Sequence, residues 1–196
     1  MTEIWASIRY NLGNLARFSG RETRGQFWPY TLFLFIVAMF ANILLMAPLI
    51  LDMMIRFQRF AVEHPQGLPE DPLEPGMRTL PPDLMLDLSP IAVPMAAITL
   101  LFVLLVAAAA VRRLHDRDKT GLWAALPLPF TVIGQMMTPY VADGMTGRGG
   151  LDPIVMPLIA LNSVFYWAAL ILLAVMLAQP GTTGPNRYGP EPRPGG

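Results

Sequence analysis

Phe27 to Leu51 is a run of 25 residues without a single charged side chain. At about 1.5 Å of helical rise per residue it is long enough to cross a hydrocarbon layer about 30 Å thick with some tilt. Inside that layer each backbone N–H and C=O must find its partner within the protein, which a helix achieves in one segment. Trp28 and Tyr30 stand at the start of the run, where amphipathic rings favour the headgroup boundary. Any fold for this chain has to begin from that span.

Three further stretches follow the same logic. Pro90 to Val111 is again free of charge, and Ala107 to Ala110 near its end permit close helix approach. Leu122 to about Ala142 makes a third, less regular span, interrupted by Pro127, Pro129, Gly134 and Pro139 and carrying Gln135 near its middle. Such breaks need neighbours or water to satisfy the freed backbone groups, so this helix is expected to be kinked and buried within the bundle. Ile154 to Ala178 is the fourth span, with Asn162 and Ser163 inside it. Hydrogen bonds linking these residues to Gln135 or Asn42 would hold helices together, at about 0.6 kcal/mol each on average. The expected fold is all-α, a four-transmembrane-helix bundle.

The segments between the spans differ in character. Residues 1–26 carry Arg9, Arg17, Arg21 and Arg24 among apolar residues and lack the compact apolar core of a signal peptide. Ile4, Trp5, Ile8, Leu12 and Leu15 fall near helical spacing. This predicts an amphipathic helix, lying in the membrane interface or packed on the protein's own cytoplasmic segments. Residues 52–89 form a long loop with three arginines against seven acids and six prolines between Pro65 and Pro82, which rule out regular structure there. Met53 to Val62 is expected to extend the first helix. The tail, residues 179–196, is rich in proline and glycine.

Orientation follows from the cations. The N-terminal segment holds four Lys or Arg, the turn after the second span four and the tail two, against three and one in the two opposite loops. The positive-inside bias therefore puts both termini in the cytoplasm and the acidic loop outside.

Composition agrees with this and narrows the chemistry. Charged residues are 14% of the chain, well under the usual quarter, and the formal net charge is zero. No nucleic-acid partner is expected. The chain has no cysteine, which excludes disulfides, thiolate catalysis and Cys-ligated metals. The 13 methionines lack the close spacing of a copper site and suit adaptable helix packing.

Three polar motifs fall on the same predicted face: FSGRETRGQFW (Phe18 to Trp28), RRLHDRDKTGLW (Arg112 to Trp123) and GPNRYG (Gly184 to Gly189). The second compresses four cations, two acids and a histidine into eight residues. Arg21 and Arg24 lie one helical turn apart just before the first span, within reach of lipid phosphates, and Phe27 continues the stride. Arg112 and Arg113 close the second span, where cations complement the helix terminus. Asp116 is a candidate ion-pair partner for Arg21, Arg24 or Arg187. Gly121 permits the turn, Trp123 anchors the third span, and the tail is expected to fold back with Tyr188 beneath the bundle and Arg187 against the hinge. His115 beside Asp116 does not make a metal site, which needs three or more convergent ligands. No catalytic residue and no cofactor is expected.

The three motifs in this order resemble the YhaH-like bacterial inner-membrane family, the domain of unknown function numbered 805 (DUF 805). The matching residues are Gly20, Arg21, Arg24, Phe27 and Trp28; Arg112 to Asp116, Gly121 and Trp123; and Asn186 to Gly189. Thr120 stands where the family usually has serine, and Leu122 where it often has a tryptophan. The resemblance implies an integral membrane protein of the bacterial inner membrane and supplies no reaction.

The function expected from these features is a non-enzymatic accessory or scaffold subunit that packs against other integral membrane proteins and anionic lipid headgroups. A lipid-headgroup or ion-pair network of Arg21, Arg24, Arg112, Arg113, His115, Asp116 and Arg187 would tie the cytoplasmic ends together, with Phe27, Trp28, Trp123 and Tyr188 as interface anchors. The alternative is a small transporter or channel component built on the broken third span, using the intramembrane polar residues Asn42, Gln135 and Asn162. A lipid-modifying enzyme acting through His115 and Asp116 comes third.

Overall fold

Apolar runs that must satisfy their own backbones become helices, and every regular element of more than an isolated bridge in the computed structural model, which describes residues 2–65, 84, 89–145 and 153–192, is helical. The elements are α1 (Thr2–Gly13), α2 (Arg24–Glu63), α3 (Ser89–Asp116), a short 3₁₀ turn (Gly121–Ala125), α4 (Leu128–Met145) and α5 (Val155–Ala178). Three of them, α2, α3 and α5, are long and apolar enough to cross a membrane. The protein is an all-α, multi-pass membrane protein.

α2 opens on a reciprocal cap. Thr23 Oγ1 accepts from the Gln26 N–H at 3.3 Å, and Gln26 Oε1 accepts from the Thr23 N–H at 3.2 Å. This satisfies two of the donors a helix start leaves free. The helix then runs 40 residues, about 60 Å, well past the charge-free stretch. Its extension carries an exposed Asp52–Arg56 pair at 2.6 Å.

The chain divides into two units, Met1–Val37 with Leu100–Gly196, and Ala38–Thr99. In the first, Phe27, Tyr30 and Leu34 of α2 recur at helical spacing and pack with Ala109, Ala110 and Leu114 of α3 and Met176 and Leu177 of α5. Alanines at 108–110 are almost wholly buried, leaving room for large side chains opposite. The Tyr30 hydroxyl donates to the Leu105 carbonyl at 2.9 Å, and Phe35 meets Phe102 edge-on at 6.5 Å. These contacts make α2 and α3 antiparallel here. In the second unit Asn42 donates to the Ala38 carbonyl of its own helix at 2.8 Å.

Three expectations need correction. α3 stays helical through Asp116, so the turn expected from Arg112 begins only at Arg117. Arginines are good helix formers, and cations are welcome in a helix's last turn. The third span is not one kinked helix but the 3₁₀ turn followed by α4, with the break at Leu126 and Pro127. Nor is the segment buried within a bundle as expected, since Val132, Ile133 and Met136 of α4 are exposed. Finally, Asn162 turns to the Phe130 carbonyl of α4 at 3.1 Å, not to Gln135, and Ser163 bonds back to Ile159 of its own helix.

Gly121 sits where the chain turns against α3. A Cβ there would stand 2.6 Å from Val111 Cγ1 and 3.3 Å from its Cβ, a stiff branched side chain that has little room to move. Gly121→Ala is expected to cost about 1–3 kcal/mol of stability in detergent by overpacking. Val111→Ala in the same chain should recover most of that loss, measured by thermal unfolding of the single and double variants.

Candidate functional site, a buried arginine clasp

The polar residues of the three motifs converge at the end of α3. Arg112 and Arg113, the last cations of that helix, are no more than 1% exposed, and Arg21, Glu22, Asp116 and Asn11 are buried with them. A buried ion that lacks partners costs several kcal/mol, so the question is where each charge is satisfied.

Arg112 reaches the N-terminal segment. Its Nε donates to Glu22 Oε2 at 2.9 Å and its Nη2 to Asn11 Oδ1 at 2.6 Å. Nη1 donates to the carbonyls of Asn14 at 3.0 Å and Arg17 at 2.5 Å, beyond the end of α1. The Glu22 N–H returns a bond to the Arg112 carbonyl at 3.2 Å. Only a planar fork of five donors serves so many acceptors at once, which lysine cannot do.

Arg113 points the other way, to the end of α5. Its Nε donates to the Leu177 carbonyl at 2.9 Å, Nη2 to Gln179 and Nη1 to Asp116 Oδ2. Arg117 Nη1 adds a bond to the Met176 carbonyl at 2.9 Å. Two guanidiniums thus cover the carbonyls that α5 leaves unpaired, at the negative end of its dipole.

Asp116 is the shared anion. Arg21 Nε donates to its Oδ1 at 3.0 Å, while the rest of that guanidinium holds the tail through the Thr182 and Gly184 carbonyls, both at 2.6 Å. The tail is pinned again where the Thr182 N–H donates to the Asp116 carbonyl at 2.9 Å and Asn186 Nδ2 to the His115 carbonyl at 2.9 Å. Gly181 passes so close that a Cβ would lie 2.0 Å from Asp116 Oδ2. No other residue fits there.

A second layer lies outside this centre. The Tyr188 ring stacks on His115 at 3.8 Å and 5°, and the Arg187 guanidinium sits 4.8 Å from the Tyr188 centroid. His115 Nδ1 lies 3.3 Å from the Gly20 carbonyl, a bond that requires the proton on Nδ1. Arg187 pairs with Asp118 at 3.0 Å, an exposed ion pair in the turn. On the inner side, burial pushes the Glu22 carboxyl above its ordinary value, and the attraction of Arg112 offsets that only in part. Glu22 Oε1 is buried without a hydrogen-bond partner.

The network residues therefore separate. Arg21, Arg112, Arg113, His115 and Asp116 come together, and Arg187 joins through Asp118 rather than Asp116. Arg24 is exposed and forms no ion pair among the described residues. Arg21 and Arg24 do not share a helix face, because α2 begins only at Arg24. Burial removes Arg21, Arg112 and Arg113 from contact with headgroups. Phe27 is not an interface anchor either, since it is buried in the core; Trp28 and Trp123 remain exposed rings. Residue-type spacing alone did not single out Glu22, Asn11, Thr182 or Gly181. Glu22 was the one readable signal, a lone acid among the arginines of the first motif.

A family model described as "Protein of unknown function (DUF805)" matches residues 15–190, which takes in all three motifs. The chain belongs to the DUF805 family. Comparison with curated proteins returned no match, and neither did comparison with solved structures. The three motifs, all within the matched region, are thus the three segments of one clasp, joining the start of α2, the end of α3 and the tail.

Asp116→Asn should destabilise the protein by about 3–5 kcal/mol, because two buried guanidiniums lose their shared anion. Asp118→Asn, at an exposed pair, should cost no more than about 1 kcal/mol. Unfolding of both variants in the same detergent measures the contrast.

Proposed function

We propose that this chain is a non-enzymatic protein of the bacterial inner membrane with both termini in the cytoplasm. In this reading it is an accessory or scaffold subunit that packs against other membrane proteins and anionic lipid. The observation that carries this reading is the way the clasp uses its chemistry. Arg21, Arg112 and Arg113 donate to backbone carbonyls, to Asn11 and to the two buried carboxylates, and His115 is held between Gly20 and Tyr188. These groups are occupied in holding chain segments together, which suits architecture better than turnover.

Four crossings are supported by the same geometry. α3 and α5 both end at the clasp, so the chain between them must travel out before α5 returns. α5 is about 36 Å long, and the 3₁₀ turn with α4 spans about 37 Å. The cation bias in the loops then assigns the clasp end to the cytoplasm.

The cysteine-free chain makes a direct test simple. Single cysteines at Lys119 and Pro190 should react with a membrane-impermeant maleimide only after the inner membrane is opened, while one at His64 should react from outside. Purification in a mild detergent should recover a second membrane protein in fixed ratio. Labelling of all three positions from one side, or a chain that always purifies alone, contradicts the proposal.

A further inference from the structure

α1 presents two different faces. Its inner face carries Ser7, Ile8 and Asn11, all buried. Ser7 Oγ donates to the Gln26 carbonyl, and Asn11 Nδ2 donates to the same carbonyl at 3.2 Å. Asn11 also takes the Arg112 guanidinium, and Ile8 joins the core beside Phe27 and Tyr30. Beside this fixed face stand Trp5 at 60% exposed and Leu12 at 46%, and Ile4, where the face runs out at the helix start, is 51% exposed. Trp5 and Leu12 share one side of the helix, on the flank of the buried Ile8, whereas Ile4 lies on the inner face itself, one turn before Ile8.

The level at which α1 is held decides what covers that stripe. Gln26 is the residue immediately before Phe27, where the charge-free run of α2 begins. A helix bonded to the Gln26 carbonyl lies at the membrane boundary, where Trp28 two residues on exposes its ring. Arg9, Arg17 and Arg24 are exposed at the same end of the protein. Apolar residues next to arginines at this depth match an anionic bilayer surface in both hydrophobicity and charge.

We propose that α1 is a membrane-plane anchor. It buries Trp5 and Leu12 below the phosphates of an anionic leaflet, while Arg9, Arg17 and Arg24 bind the headgroups. This rests on the membrane reading above and relocates headgroup recognition from the buried motif arginines to three exposed ones. The clasp holds the anchor at its depth through Arg112 and Asn11. The charges that touch lipid lie outside it.

Single cysteines replace Glu3, Trp5 or Leu12 in the full chain, carry a nitroxide label, and are placed in vesicles of phosphatidylglycerol and phosphatidylcholine. At positions 5 and 12 collisions with oxygen should exceed those with a water-soluble nickel chelate, and at position 3 the order should reverse. Arg9→Gln, Arg17→Gln and Arg24→Gln should each weaken the preference for a labelled phosphatidylglycerol over phosphatidylcholine, by up to about fivefold. Nickel access at positions 5 and 12 would place the stripe in water, and low access to both reagents would place protein over it; either result overturns the anchor. An unchanged lipid preference in all three arginine variants overturns the headgroup assignment. Release of the whole chain by alkaline carbonate would instead sink the membrane reading itself, a failure distinct from these.

Discussion

The structure depends on two adjacent arginines at the end of one helix being buried and pulled in opposite directions. Arg112 takes the N-terminal segment through Glu22, Asn11 and two carbonyls, and Arg113 takes the end of α5 and Asp116. Successive residues on a helix diverge by about 100°, so neighbours in sequence address different parts of the fold. Among the described residues three buried guanidiniums face two buried carboxylates. The excess positive charge is met by carbonyls at the end of α5 and along the tail, which supply negative potential without a further ion.

Such a centre is a poor source of net stability and a good source of definition. Removing two charges from water is expensive, and a well-packed apolar replacement often does as well. What the ion pairs add is intolerance of alternatives. Each partner left alone would be a buried charge, so α1, the start of α2, the end of α3, the end of α5 and the tail settle in one arrangement. Glycine at 181 and small residues along α3 belong to the same requirement, since the tail and α2 must approach closely for the bonds to form. Elsewhere the helices present apolar side chains outward, as expected of surfaces solvated by lipid.

Much of this was legible in the sequence, and what was not has a physical cause. The charge-free runs announced α2, α3 and α5 because a helix satisfies its whole backbone in hydrocarbon within one segment. α4 was harder: Pro127 and Pro129 signalled interruption, but whether they broke a helix or separated two elements depended on the preceding 3₁₀ turn. The convergence of the three motifs followed from cation counting. Which arginines were buried did not, because positive-inside bias treats all cations alike. Arg21 and Arg24 looked equivalent at a spacing of three until the cap at Thr23 put one outside the helix and one within it. The Thr23 and Gln26 pair was a visible capping box whose significance lay in fixing that phase. The Asn14 and Arg17 carbonyls that Arg112 also uses leave no trace in residue identity at all.

The claim that the clasp is a coupled buried unit is tested most directly by a double-mutant cycle on its innermost pair. Arg112→Gln, Glu22→Gln and the double variant keep similar side-chain size while removing the charges singly and together. Unfolding in one detergent should give a coupling energy of about 1–3 kcal/mol, the double variant losing much less than the sum of the singles. If the two losses instead add to within about 0.5 kcal/mol, Arg112 and Glu22 act independently and the clasp does not organise the fold.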